Sequence, residues 1–201
     1  MNLYKNLATA SKESHAVEAL KLTIRTSEFP VELFHFPNLQ ELYLDGDCAN
    51  FPRMLEWRKL KTLSIKWPNF KGDLSPLFSL PALENLKVIE TPIKTFLLPL
   101  GQATPLKHLT LKDCGLQFLP EEISMLTSLN ELQLPHNNLS TLPHSFKTLP
   151  KLKRLNLDSN QFTIFPEVFK LMKQLSHLSI DGNPFSDEEK DRIQREFHIW
   201  L

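Results

Sequence analysis

The sequence predicts an α/β fold, a solenoid of stacked repeats with helical caps at both ends. Three observations carry this. The motif LxxLxL opens at Leu106, Leu129, Leu152 and Leu175, each step being 23 residues. Looser copies with nearly the same spacing precede it, and amphipathic segments flank the whole array. Self-similarity at a period of roughly 20 to 50 residues marks stacked architectures, because one such unit buries too little apolar surface to fold alone.

Within one unit the residue types follow the geometry they need. Leu129, Leu132 and Leu134 end in an apolar-polar alternation, the period of a strand with one buried face. Asn137, Leu139 and the pair Leu142-Pro143 follow, then Phe146 and Leu149 at helical spacing. Leu119-Pro120, Leu142-Pro143 and Phe165-Pro166 recur at one step, where proline ends the strand region and stiffens the descent.

This pattern resembles the leucine-rich repeat in its 23-residue form, LxxLxLxxNxLxxLPxxIxxLxx, and several positions match in each of three consecutive copies. The resemblance implies a right-handed solenoid whose strands stack in one concave parallel sheet, with short helices, 3-10 turns and loops on the convex side. It also implies that Asn137, Asn160 and Asn183 turn inward and hydrogen-bond the backbone of neighbouring turns, satisfying groups otherwise buried unpaired. Cys114 holds the matching position of its own repeat.

In chain order, residues 1–16 place Leu3, Tyr4, Leu7 and Ala8 at helical spacing, which predicts a cap helix over the first repeat. A helix lying on a membrane surface is the rival reading; short length and mixed charge favour the cap. Eight repeats start at 17, 39, 60, 83, 106, 129, 152 and 175 and run to 183. The first two keep Phe29-Pro30 and Phe51-Pro52 at the proline step. Where asparagine is expected, the first four repeats carry Arg25, Asp47, Pro68 and Thr91, which predicts no asparagine ladder there and irregular loops over 67–74 and 90–101. Residues 184–201 open with Ser186 and Glu189 in a capping-box arrangement, with Ile193, Phe197 and Trp200 on one face, so a second cap helix is expected. Capped at both ends, 1–201 reads as a single complete domain. YKNLATA near the start, the 23-residue period and the GNPFSDEE ending are together similar to the small multi-copy leucine-rich-repeat proteins of spirochaetes and related bacteria.

Lys and Arg total 23 against 23 for Asp and Glu, so nothing electrostatic favours nucleic acid or an anionic membrane. No apolar run is long enough to span a bilayer. The first stretch has no uninterrupted apolar core of signal-peptide type, from which a cytoplasmic site or export by a non-classical route is expected. With only five glycines, the chain has no glycine-rich phosphate loop, and it has no GxSxG; no enzymatic activity and no resident cofactor are expected. Cys48 and Cys114 fall in repeats three apart, about 15 Å by strand spacing, too far to bridge.

Residues alternating with the leucines face the concave side. Tyr43 and Trp67, flanked by Lys66, Lys87 and Ile89 and continued by Thr110 and Gln133, form the expected partner-binding surface, since Tyr and Trp dominate interface hot spots. The competing reading of Trp67, which precedes Pro68, places it in the core. A second constellation is the row Glu90, Asp113, His136, one residue per repeat, whose carboxylate and imidazole types suit a shared zinc or calcium ion. No HExxH or paired CxxC accompanies it. The sequence therefore reads as a non-catalytic protein-protein interaction module, a monomer or weak homo-oligomer, whose partner the bacterial resemblance implies to be a host protein reached by export or another cell-envelope or cytoplasmic protein. Metal-dependent ligand binding at the Glu90 row, or self-association, is the alternative.

Overall fold

The computed structural model describes residues 3–52, 55–93, 97–98 and 104–200. Period-two alternation of leucine and polar residues yields nine strands among them: β1 (Leu3–Tyr4), β2 (Ala19–Ile24), β3 (Glu41–Gly46), β4 (Thr62–Lys66), β5 (Asn85–Ile89), β6 (His108–Lys112), β7 (Glu131–Gln133), β8 (Arg154–Asn156) and β9 (His177–Ser179). They form one sheet whose spatial order is the chain order, every pair parallel. Register keeps each motif position on its counterpart, Leu42 beside Leu63, Leu86 beside Leu109, and Leu132 beside Leu155. The leucines thus share one buried face. The residues between them share the other.

On the convex side the chain makes five-residue 3-10 turns at Val31–His35, Ser75–Ser79, Glu121–Met125, His144–Thr148 and Glu167–Leu171. Pro30, Pro120, Pro143 and Pro166 stand in extended backbone immediately before four of them. Proline suits this place because its fixed φ directs the chain downward and the carbonyl it leaves accepts the first turn bond, as in Ile123 N–H to Pro120 O and Phe146 N–H to Pro143 O. A 23-residue repeat leaves no length for a longer helix. Leu33, Ile123 and Phe146 each anchor their turn to the core, and Leu77 and Phe78 together anchor Ser75–Ser79.

The N-terminal segment departs from the expected cap helix over 1–16. It opens with β1, which pairs with β2, then makes a single α-helical turn, α1 (Leu7–Ala10), and a 3-10 stretch, Ser11–Ala16, interrupted at Glu13. An unpaired sheet edge exposes a row of backbone donors and acceptors, and β1 covers part of that row, which a helix along the same residues cannot do. The C-terminal cap is α2 (Asp187–Phe197). Ser186 Oγ accepts the Glu189 N–H, three acids occupy the first turn, and Ile193 is buried. Glu189 Oε1 also accepts the Phe165 N–H at 2.7 Å, tying the helix to the last complete repeat.

Residues 67–74 form the expected irregular loop, with Phe70 and Leu74 turned into the core. The loop expected over 90–101 lies in part outside the described residues. Among the described residues, no helix is long and apolar enough to cross a membrane.

Candidate functional site

The concave face is assembled from the residues that alternate with leucine, and its polar groups are held by neighbours on the same or the next strand. Tyr43 Oη donates to Glu41 Oε2 at 3.0 Å, and Gln133 Nε2 donates to Glu131 Oε1 at 2.9 Å. Asn85 links Thr62 and His108, at 3.3 and 2.7 Å. Lys66 Nζ pairs with Glu90 at 2.8 Å, across adjacent repeats. Of the expected surface, Tyr43, Lys66, Lys87, Ile89, Thr110 and Gln133 are all exposed or half-buried on this face.

Trp67 is not there. Its exposure is 0%, and its ring packs against Phe51 at 4.7 Å, Phe70 at 5.9 Å and Phe29 at 6.4 Å between centroids. Phe34 and Trp57 extend the cluster, with Trp57 Nε1 donating to Leu33 O. The physical reason is local: Trp67 follows Ile65 by two positions and Leu63 by four, so strand alternation turns it to the buried face, and its backbone N–H is taken by Thr91 Oγ1 at 2.9 Å.

The row Glu90, Asp113, His136 occupies one turn position in successive repeats. Each has left-handed backbone, with φ of 47°, 53° and 56°, and Ser159 continues the series at 54°. Glu90 is engaged by Lys66, and Asp113 lies 4.0 Å from Lys112. Among the described residues, no three His, Cys, Asp or Glu side chains are placed to hold a metal ion. These positions do steric work instead. A left-handed residue reverses the chain so that the next one enters the core: Thr91 after Glu90, Cys114 after Asp113, Asn137 after His136, and Asn160 after Ser159. Asp and His are among the non-glycine residues that adopt this conformation most readily.

Those inward residues build the ladder that the resemblance implied. Asn137 Oδ1 accepts the N–H groups of Cys114 and Leu116, both at 3.1 Å, while Nδ2 donates to Leu111 O at 2.8 Å and Leu134 O at 3.0 Å. Asn160 and Asn183 repeat the pattern one and two turns on. Upstream of Asn137 the inner positions carry other residues: Cys114 Sγ contacts Val88 O and Lys112 O, and Thr91 Oγ1 donates to Ile89 O.

Burial pushes the Cys114 thiol up to about 12 from an ordinary value of 9.0. The thiolate is the reactive form, so neither Cys114 nor the equally buried Cys48 is expected to react with Ellman's reagent at pH 8 in the folded chain, at a rate at least about a hundredfold below that of urea-unfolded protein. The unfolded thiol loses its proton near pH 9 while the folded one retains it, so this contribution to stability is intact below pH 9 and declines as pH rises toward 12.

Two features were not anticipated from the sequence. Phe118 and Ile164 are 53% and 67% exposed, one position before the proline step of their repeats, where the motif fixes no residue type. A cleft of about 580 Å³ also opens between the N-terminal segment and β2.

A family profile described as "Leucine-rich repeat region" matches residues 94–196, more than half of the chain. No curated protein sequence matches the chain closely enough to count as a relative. Among solved structures, the chain is similar to a Leptospira interrogans leucine-rich repeat protein, at 22% identity and a TM-score of 0.54, over 98% of this chain and 68% of that one. It is similar to the leucine-rich repeat domain of the type III effector XopL at 24% identity and a TM-score of 0.73, over 89% of this chain and 66% of that one. A plant peptide hormone receptor, RGFR1 in complex with RGF2, matches at 19% identity and a TM-score of 0.55, over 84% of this chain but 32% of the receptor.

Proposed function

This chain belongs to the leucine-rich repeat family, and from that premise we propose that it is a non-catalytic scaffold that binds a protein partner on its concave face. The observation that carries the reading is the array of exposed and half-buried side chains from Tyr43 to Gln133, one set per strand, with Tyr43 and Gln133 already held by neighbouring carboxylates. Side chains fixed before binding lose less entropy when a partner arrives. The plant receptor, seen in complex with RGF2, is a precedent for recognition on this fold. The likeness to a Leptospira protein and to a type III effector domain supports a bacterial protein acting on a host partner.

The test is affinity capture from host-cell and bacterial lysates with immobilised wild type, Tyr43→Ala, Lys87→Glu and the convex variant Lys147→Glu. Tyr43→Ala is expected to weaken the captured partner at least about tenfold, in the range of an interface hot spot, with an unchanged circular dichroism spectrum. Lys147→Glu is expected to retain it. A partner lost with Lys147→Glu and kept by both concave variants overturns the reading.

A further inference from the structure

The cleft at the N-terminal end of the sheet carries charge that folding does not explain. It is lined on its polar side by Lys5, Asn6, Lys21, Thr23, Arg25 and Thr26. Leu3 pairs with Ala19 and Tyr4 with Leu20, so one residue further the same register sets Lys5 beside Lys21. Alternation along β2 puts Lys21, Thr23 and Arg25 on one face, all exposed. Like charges at neighbouring positions of adjacent strands are destabilising. Elsewhere on the concave face, Lys66 answers Glu90 and Arg154 approaches Glu131. Among the described residues, no carboxylate lines this cleft and none forms an ion pair with Lys5, Lys21 or Arg25. Of the nearest acids on β3 and just beyond it, Asp45 stands opposite Thr23 without an ion pair to the cleft cations, and Asp47 accepts from Asn69.

We propose that this cleft is a binding site for a small phosphate-bearing ligand, held by Lys5, Lys21 and Arg25. Three cations match a dianion that offers three acceptor oxygens, and the Arg25 guanidinium presents a planar fork to two of them. Thr23 adds a hydroxyl, and Asn6, whose Oδ1 already accepts the Thr9 N–H, keeps its amide hydrogens for a ligand. Thr26 contributes shape, because its hydroxyl donates to Glu28 O. The volume of about 580 Å³ lies within the range of small-molecule sites. The chain's zero net charge argues against an extended polyanion as the occupant.

Isothermal titration of the full chain at low salt with inorganic pyrophosphate, and separately with citrate, tests the site. Pyrophosphate is expected to bind at one site and more tightly than citrate. Lys21→Ala and Arg25→Ala are each expected to weaken it at least about tenfold, while Lys87→Ala on the open concave face leaves it unchanged. Lys21→Ala is also expected to leave the melting temperature of the free protein no lower, since it removes a repulsion, while reducing the upward shift that pyrophosphate produces. Absence of binding heat for pyrophosphate, citrate binding as tightly, or an equal loss with Lys87→Ala overturns the proposal.

Discussion

Trp67→Ala is expected to destabilise the folded chain by about 3 to 5 kcal/mol, the cost of emptying a large aromatic site in a packed core, read as a lower urea midpoint at an unchanged slope. The ring has 0% exposure and contacts three phenylalanine rings from two preceding turns and its own. The position matters as much as the size. Trp67 fills the region where Arg25, Asp47 and Pro68 leave the inner ladder without asparagine, so aromatic packing stands in for the missing hydrogen bonds there. Trp67→Phe keeps most of that contact and removes an indole N–H that has no hydrogen-bond partner among the described residues, so a loss below about 1.5 kcal/mol is expected. An unaltered midpoint in the alanine variant, with partner capture lost, returns Trp67 to the binding surface.

Asn137→Ala acts by the opposite chemistry. Its side chain accepts from two buried N–H groups and donates to two buried carbonyls. Each orphaned group costs about 1 to 3 kcal/mol. Partial rescue by water lowers the sum, leaving an expected loss of about 3 kcal/mol. Native-state hydrogen exchange localises it: the amides of Cys114 and Leu116 are expected to lose protection first, while those near Trp67 change little. A uniform loss of protection along the chain refutes a local ladder.

The leucine spacing was sufficient to place every strand from β2 to β9, because the register of one repeat on the next is dictated by which residues must be buried. The asparagine positions were equally legible, since a buried amide side chain has few alternatives to backbone partners. Trp67 was legible too, since it continues the buried parity of Leu63 and Ile65, but its residue type, common at binding surfaces, points the other way from that alternation. At Glu90, Asp113 and His136 the sequence displays side-chain chemistry, while the left-handed backbone they share is a dihedral angle that no side chain advertises. Lys5 escaped notice because it lies in a segment read as helix rather than strand, 16 residues from its neighbour Lys21.

A sheet whose spatial order equals its chain order has a kinetic consequence. Parallel sheets ordinarily fold slowly, because distant segments must find one another before any contact rewards the search. Here each strand's partners lie a single repeat away in sequence, roughly a tenth of the chain length, a separation typical of helical bundles. Assembly proceeds by short loop closures added to an existing edge, so a chain that emerges gradually from its N-terminus extends its structure as it is made, each strand awaiting only the repeat that follows it.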